Sequence, residues 1–192
     1  MKRREIIKLA ALATGVAVSA PLISSLLSGC QADIPDEDAN YVMEFFSKDE
    51  FHFVRDLVNT ILPKTDSPSA SEVGVHRIID HMVGKVYEAE DQAKYKSRFA
   101  ALGKYLNEGN ETNTFLKLNT DKKLAMLQKL SDSEDDTMKD AQKAFLDMRQ
   151  QTVAYYLSSE KIATTYLNYL PVPGKYEPCI SVESMGGKAW AI

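Results

Sequence analysis

Between Ser47 and Leu170 the apolar residues recur three and four positions apart, the spacing of a helix with one buried face. The first run is Phe51, Val54, Leu57, Val58, Ile61 and Leu62. Ser47 and Glu50 stand before it in capping-box spacing, and Pro63 ends it. Residues 63–70, PKTDSPSA, read as a loop. A second helix is expected to start between Ser69 and Glu72, with Val73, Ile78, Ile79, Met82, Val83 and Val86 on its face. The charged stretch Glu88 to Arg98 is expected to break or re-cap it. Tyr95, Phe99, Leu102 and Leu106 then continue the pattern, and Asn107 to Thr112 read as a turn. Thr120 is the expected cap of a short helix carrying Leu124, Leu127 and Leu130. Ser133 and Asp136 open the longest helix, with Met138, Ala141, Phe145, Met148, Thr152 and Tyr155 close to one face. Residues 159–169 read as the last helix. No segment alternates apolar and polar residues long enough to argue for a sheet, so the expected class is all-α, a small compact helical bundle.

The two ends depart from this pattern. At the start, Lys2, Arg3 and Arg4 precede an apolar stretch from Ile6 to Leu27, and Leu27-Ser28-Gly29-Cys30 follows. Paired arginines followed by Glu-Ile-Ile-Lys match a twin-arginine export signal. Small residues before Cys30 match a lipoprotein cleavage box, whose cysteine thiol is the atom acylated. A membrane-spanning anchor is the alternative, since the stretch is about long enough to cross a bilayer; Pro21, the interspersed serines and Cys30 argue against it. An ordinary secretory lipoprotein signal is the second alternative, and the fit of the Arg3-Arg4 surroundings favours the twin-arginine route. At the far end, residues 171–192 contain Pro171, Pro173, Pro178, Gly174, Gly186 and Gly187, which exclude a regular helix, yet keep Tyr176, Ile180, Val182, Met185 and Trp190. Such a tail either packs on its own domain or lies on another protein. The expected division is a signal peptide over 1–29, a tether over 30–47, a helical domain over 48–170 and an extended tail over 171–192. The expected location is the cell envelope, facing the periplasm and held by lipid on Cys30.

Charge and chemistry narrow the function. The chain has a formal net charge of −4, and its basic leader leaves the remainder more acidic still. Without a basic stripe, nucleic acid is a poor partner, and membrane association rests on the lipid alone. Once Cys30 carries lipid, Cys179 is the one thiol left, either buried and inert or bonded to another chain. His76 and His81 are five apart and do not share a helix face, which leaves surface or capping roles for them. The acidic run Ser131 to Asp136 lacks calcium-loop spacing and suits the N-terminus of the helix after it. Tyr155, Tyr156, Tyr166 and Tyr169 suggest a sugar-stacking surface or, more plainly, core and interface positions. No phosphate loop, dinucleotide fingerprint, haem motif or nucleophile elbow is present. No residue is singled out as catalytic, cofactor-binding or metal-ligating.

Three stretches together resemble the small subunit of membrane-bound gluconate 2-dehydrogenases, the subunit 3 family. ILPKTDSPSASEVGVHRIIDHMV resembles its early motif, YYLSSEKIATTYLNYLPVPGKYEPC its late one and GKAWAI its ending. Ser69 and the Lys161-Ile162 neighbourhood replace glycines common in that family. The resemblance implies a non-catalytic subunit that accompanies and exports an FAD-dependent dehydrogenase of the glucose-methanol-choline (GMC) type, acting on a sugar or polyol. FAD then belongs to the large subunit, none to this chain, and electrons pass to a cytochrome c or another acceptor. Arg3 and Arg4 are in that case the export signal for both chains. The tail acquires a surface to lie on, with Pro171, Pro173, Gly174, Tyr176, Cys179 and Trp190 as candidate contacts and Cys179 as a candidate interchain disulfide. The alternative is a free-standing envelope lipoprotein that binds a ligand or scaffolds other proteins.

Overall fold

A computed structural model describes residues 38, 40–107, 114–172, 174–175 and 179–191. Arg3, Arg4 and Cys30 lie outside these residues, as do Pro173 and Tyr176. From Val42 onwards the chain forms one compact unit.

Helix α1 spans Lys48–Ile61. Its capping box closes as the spacing requires. The Glu50 N–H donates to Ser47 Oγ at 3.4 Å, and the Ser47 N–H donates to Glu50 Oε2 at 2.8 Å. Val54, Leu57 and Val58 are completely buried. After the loop, the expected second helix is subdivided. A 3-10 turn covers Ser71–Val73, Gly74 turns left-handed at φ +78°, and α2 covers Val75–His81. Only a residue without a Cβ adopts that φ readily, so the helix restarts at Val75. A π-helical turn, Met82–Val86, extends α2, and Tyr87 then adopts an extended conformation.

The break therefore falls at Tyr87, before the charged stretch. That stretch is itself helical within α3, Ala89–Leu106, with Lys94 paired to Glu90 at 2.7 Å one turn away. Gln92 Nε2 reaches back to the carbonyls of Val83, Gly84 and Tyr87 at 3.0, 3.2 and 3.2 Å, covering groups that the helix end leaves open. Helix α4 is the short Thr114–Lys117. Helix α5 covers Thr120–Ser131; its cap is Asn119, whose side chain accepts from the Lys122 N–H at 3.0 Å, one residue before the expected Thr120. Helix α6, Lys139–Ser158, is the longest and follows a 3-10 turn capped by Asp135. Helix α7 is Glu160–Thr165, shorter than expected because Asn168 already pairs with the tail.

The architecture is an all-α bundle. Helix α6 runs along α3 and also touches α1, α2, α5 and α7. Ala141, Phe145, Met148 and Thr152 form its buried face as expected, but Tyr156 rather than Tyr155 continues it. Val86 and Leu124, expected inside, are 59% and 46% exposed. His76 is a further correction: it is buried, with its ring 5.0 Å from that of Phe51. Val75 and Gly74 set its helical phase inward, whereas His81 is exposed. Among the described residues there is no strand, and no helix is long and apolar enough to cross a membrane.

The segment before α1 is held by one carboxylate. Asp80, completely buried on α2, accepts the N–H groups of Glu44, Phe45 and Phe46 at 2.7, 3.0 and 2.8 Å. Three donors on a buried carboxylate satisfy a charge that would otherwise be costly to bury. Phe46 enters the core against Phe99, with centroids 5.1 Å apart. Gly84 lies so close that a Cβ there would sit 2.7 Å from Glu44 Cβ, and Lys85 pairs with Glu44 at 2.8 Å. The last residues of the segment read as tether are thus clasped to the bundle.

Candidate functional site

The two internal stretches singled out in the sequence meet on one surface. The loop between α1 and α2 is first braced from within. Asn59 Nδ2 donates to Ser71 Oγ at 2.8 Å, and the Ser71 N–H returns a bond to Asn59 Oδ1 at 2.9 Å. Glu72 accepts from Lys64 Nζ at 2.6 Å and from the Ser69 N–H at 2.7 Å. The hydrogen bond from Lys64, followed by that from Ser69, lowers the Glu72 carboxyl below its ordinary range. The same bond to Glu72 raises Lys64.

The loop is then clamped from the other end of the chain. Tyr156 on α6 donates its hydroxyl to the Pro68 carbonyl at 2.8 Å, and Tyr166 just after α7 donates to the Asp66 carbonyl at 3.1 Å. Both tyrosines belong to the late stretch and both acceptors to the early one.

Beyond Tyr166 the chain turns into the tail, and Asn168 organises it. The Asn168 N–H donates to the Ala189 carbonyl at 2.8 Å, and the Ala191 N–H donates to the Asn168 carbonyl at 2.9 Å, a parallel bridge to Trp190. The Asn168 amide adds bonds to the carbonyls of Met185 and Lys188 at 3.1 and 2.8 Å. Gly186 and Gly187, at φ +67° and +74°, allow the turn that brings these carbonyls round. The tail is thus fastened through its backbone while its apolar side chains face out. Val172 is 80% exposed, Val182 68% and Trp190 43%. Pro171 and Cys179 are exposed, and Gly174 is left-handed at φ +71°.

A second concave feature lies between α3 and α6. Tyr87, Tyr95, Gln151 and Tyr155 line a groove of about 550 Å³ floored by Phe99 and Met148. Gln151 Nε2 donates to the Tyr87 hydroxyl at 2.8 Å, and the Tyr95 hydroxyl rests 3.9 Å from Met148 Sδ. Burial raises the Tyr95 phenol above its ordinary range and, to a lesser extent, that of Tyr155. Sequence spacing points to neither Asp80 nor this groove, because their partners lie far along the chain.

Among the described residues no group of three or more His, Cys, Asp or Glu is placed to hold a metal ion. The acidic run before α6 serves local turns: Asp135 Oδ1 accepts the Thr137 N–H at 2.8 Å, and Asp136 pairs with Lys139 at 2.5 Å.

A family model described as gluconate 2-dehydrogenase subunit 3 matches residues 48–174, more than half of the chain. The chain belongs to the gluconate 2-dehydrogenase subunit 3 family. No curated protein and no solved structure gave a match. The subunit 3 match contains both the loop 63–70 and the helices that clamp it, whereas Cys179 and Trp190 lie beyond it. Membership of a subunit family associates the chain with a larger dehydrogenase complex.

Proposed function

We propose that the chain is a non-catalytic accessory subunit that binds a GMC-type, FAD-carrying dehydrogenase of a sugar or polyol and takes it across the membrane on its own twin-arginine signal. Arg3 and Arg4 form that signal, and Cys30, once lipidated, holds the assembly at the envelope with the dehydrogenase facing the periplasm. A cytochrome c or another carrier receives the electrons. The observation that carries the reading is the subunit 3 match across the bundle, together with a tail whose backbone is fastened and whose apolar side chains are not covered. Exposed apolar groups gathered along one segment mark a contact surface. Pro171, Pro173, Gly174, Tyr176, Cys179 and Trp190 are its candidate contacts, and the exposed Cys179 is available for a bond to the large subunit.

Affinity purification of the chain from its native host tests this. A flavin-containing dehydrogenase should elute with it, and a non-reducing gel should show the two chains joined if Cys179 bonds. Recovery of the chain alone, without flavin, would overturn the subunit reading and favour a free-standing envelope lipoprotein. Replacing Arg3 and Arg4 by lysine should leave the dehydrogenase in the cytoplasm; arrival at the envelope would remove the carrier role.

A further inference from the structure

The groove between α3 and α6 has a polar end that the protein does not complete. Gln151 Oε1 is buried and accepts no hydrogen bond. Its own Nε2 is engaged with the Tyr87 oxygen, which leaves the Tyr87 proton free to point into the groove. An acceptor without a donor therefore stands beside a hydroxyl whose proton has no acceptor among the described residues. A buried amide oxygen left this way costs stability, so a group that satisfies it gains affinity.

A hydroxyl group complements that pair, because it can both donate to Gln151 Oε1 and accept from Tyr87. A carboxylate or carbonyl can only accept, and a backbone N–H can only donate. The rest of the groove sets the remaining chemistry. Tyr95 and Tyr155 line the groove over the buried Phe99 and Met148, an apolar lining that suits carbon rings. At the rim Arg98 lies 3.5 Å from Asp147 and Lys94 is paired with Glu90, so neither sign of charge is in surplus. The volume falls in the range of small-molecule sites.

We infer that this groove is a binding site for a neutral, hydroxylated six-membered ring, with its hydroxyl between Gln151 and Tyr87 and its ring against Tyr95 and Tyr155. Saccharides and phenols share this chemistry. The lining includes no residue of the tail or of the loop 63–70, and the site needs no dehydrogenase to be present.

Saturation-transfer NMR on the purified full chain distinguishes the sources, with methyl glucoside as one probe, hydroquinone as the other and anisole as a ring without a donor. One of the two hydroxylated probes should receive saturation and anisole should not. Gln151→Met should weaken that binding about tenfold, the share of one hydrogen bond. Ala154→Leu, at an exposed position on the groove wall, should abolish it while leaving the thermal midpoint unchanged. Binding of neither probe, equal response to anisole, or binding unaffected by Ala154→Leu would overturn the inference. Because no partner enters the experiment, its outcome is independent of the subunit reading.

Discussion

Two segments outside the helices, one before α1 and one after α7, are fastened to the bundle in opposite ways. Glu44 to Phe46 give three backbone N–H groups to a buried carboxylate and send Phe46 into the core. The tail after Leu170 is tied at its end by Asn168, yet leaves Val172, Val182 and Trp190 in solvent. The first arrangement combines hydrogen bonds with burial and completes the fold. The second supplies hydrogen bonds with little burial, and so gives a segment a shape while leaving much of its apolar surface uncovered. Under the proposed function that surface is where the dehydrogenase docks.

Removing the carboxylate should break the first arrangement most severely. Asp80→Ala strands three N–H donors, that of Phe46 buried, and the expected loss is about 3–5 kcal/mol in chemical denaturation. Gly84→Ala leaves the carboxylate but pushes a methyl against Glu44, for about 1–3 kcal/mol, with faster proteolysis between Val42 and Ser47.

The next effect depends on pH. Tyr95 packs against Phe45 and Phe46, with centroids 5.8 and 6.2 Å away, and burial raises its phenol in the folded chain. Its contribution is complete below the unfolded value of about 10 and declines as pH rises from there towards the folded value. Stability of the native chain should fall by about 1.4 kcal/mol per pH unit more steeply above pH 10 than that of Tyr95→Phe. Equal slopes would place the phenol in solvent.

For the tail the same perturbations should be local. Asn168→Ala should speed exchange of the Ala191 amide by about tenfold, the loss of roughly one hydrogen bond's worth of protection, with the bundle's midpoint nearly unmoved. Smallest of all is the effect of Val172→Ser with Trp190→Ala on the isolated chain, within about 0.5 kcal/mol. The same pair should sharply reduce recovery of a co-purifying dehydrogenase. A large loss of stability instead would show that the tail belongs to the core.

What sequence spacing reveals here is what neighbours in the chain decide. Ser47 and Glu50 cap one another three residues apart, Pro63 stops α1, and the buried faces of α1 and α6 follow from helical phase. The places where the expectation shifts involve distant or backbone partners. Gly74 interrupts a continuous apolar pattern because it closes the 3-10 turn in a left-handed conformation, its N–H bonded to the Ser71 carbonyl. Asp80 resembles any helical aspartate until its three donors arrive from 34–36 positions earlier, and every residue but proline offers such a donor. Tyr155 and Tyr156 are equivalent by composition; the Pro68 carbonyl selects Tyr156 for the interior. Prolines and glycines among apolar residues mark the tail as non-helical in the sequence, while its fastening at Asn168 depends on a contact that no short pattern encodes.

That fastening has a consequence for assembly. The bridge from Asn168 to Trp190 converts the end of the chain from a free filament into a closed loop. In a polymer, joining the ends of a segment of this length removes on the order of 3 kcal/mol of configurational entropy. A loop already closed presents its apolar side chains within a smaller volume than a loose end would. Capture by another protein then resembles the docking of a preformed handle rather than the winding-in of a string.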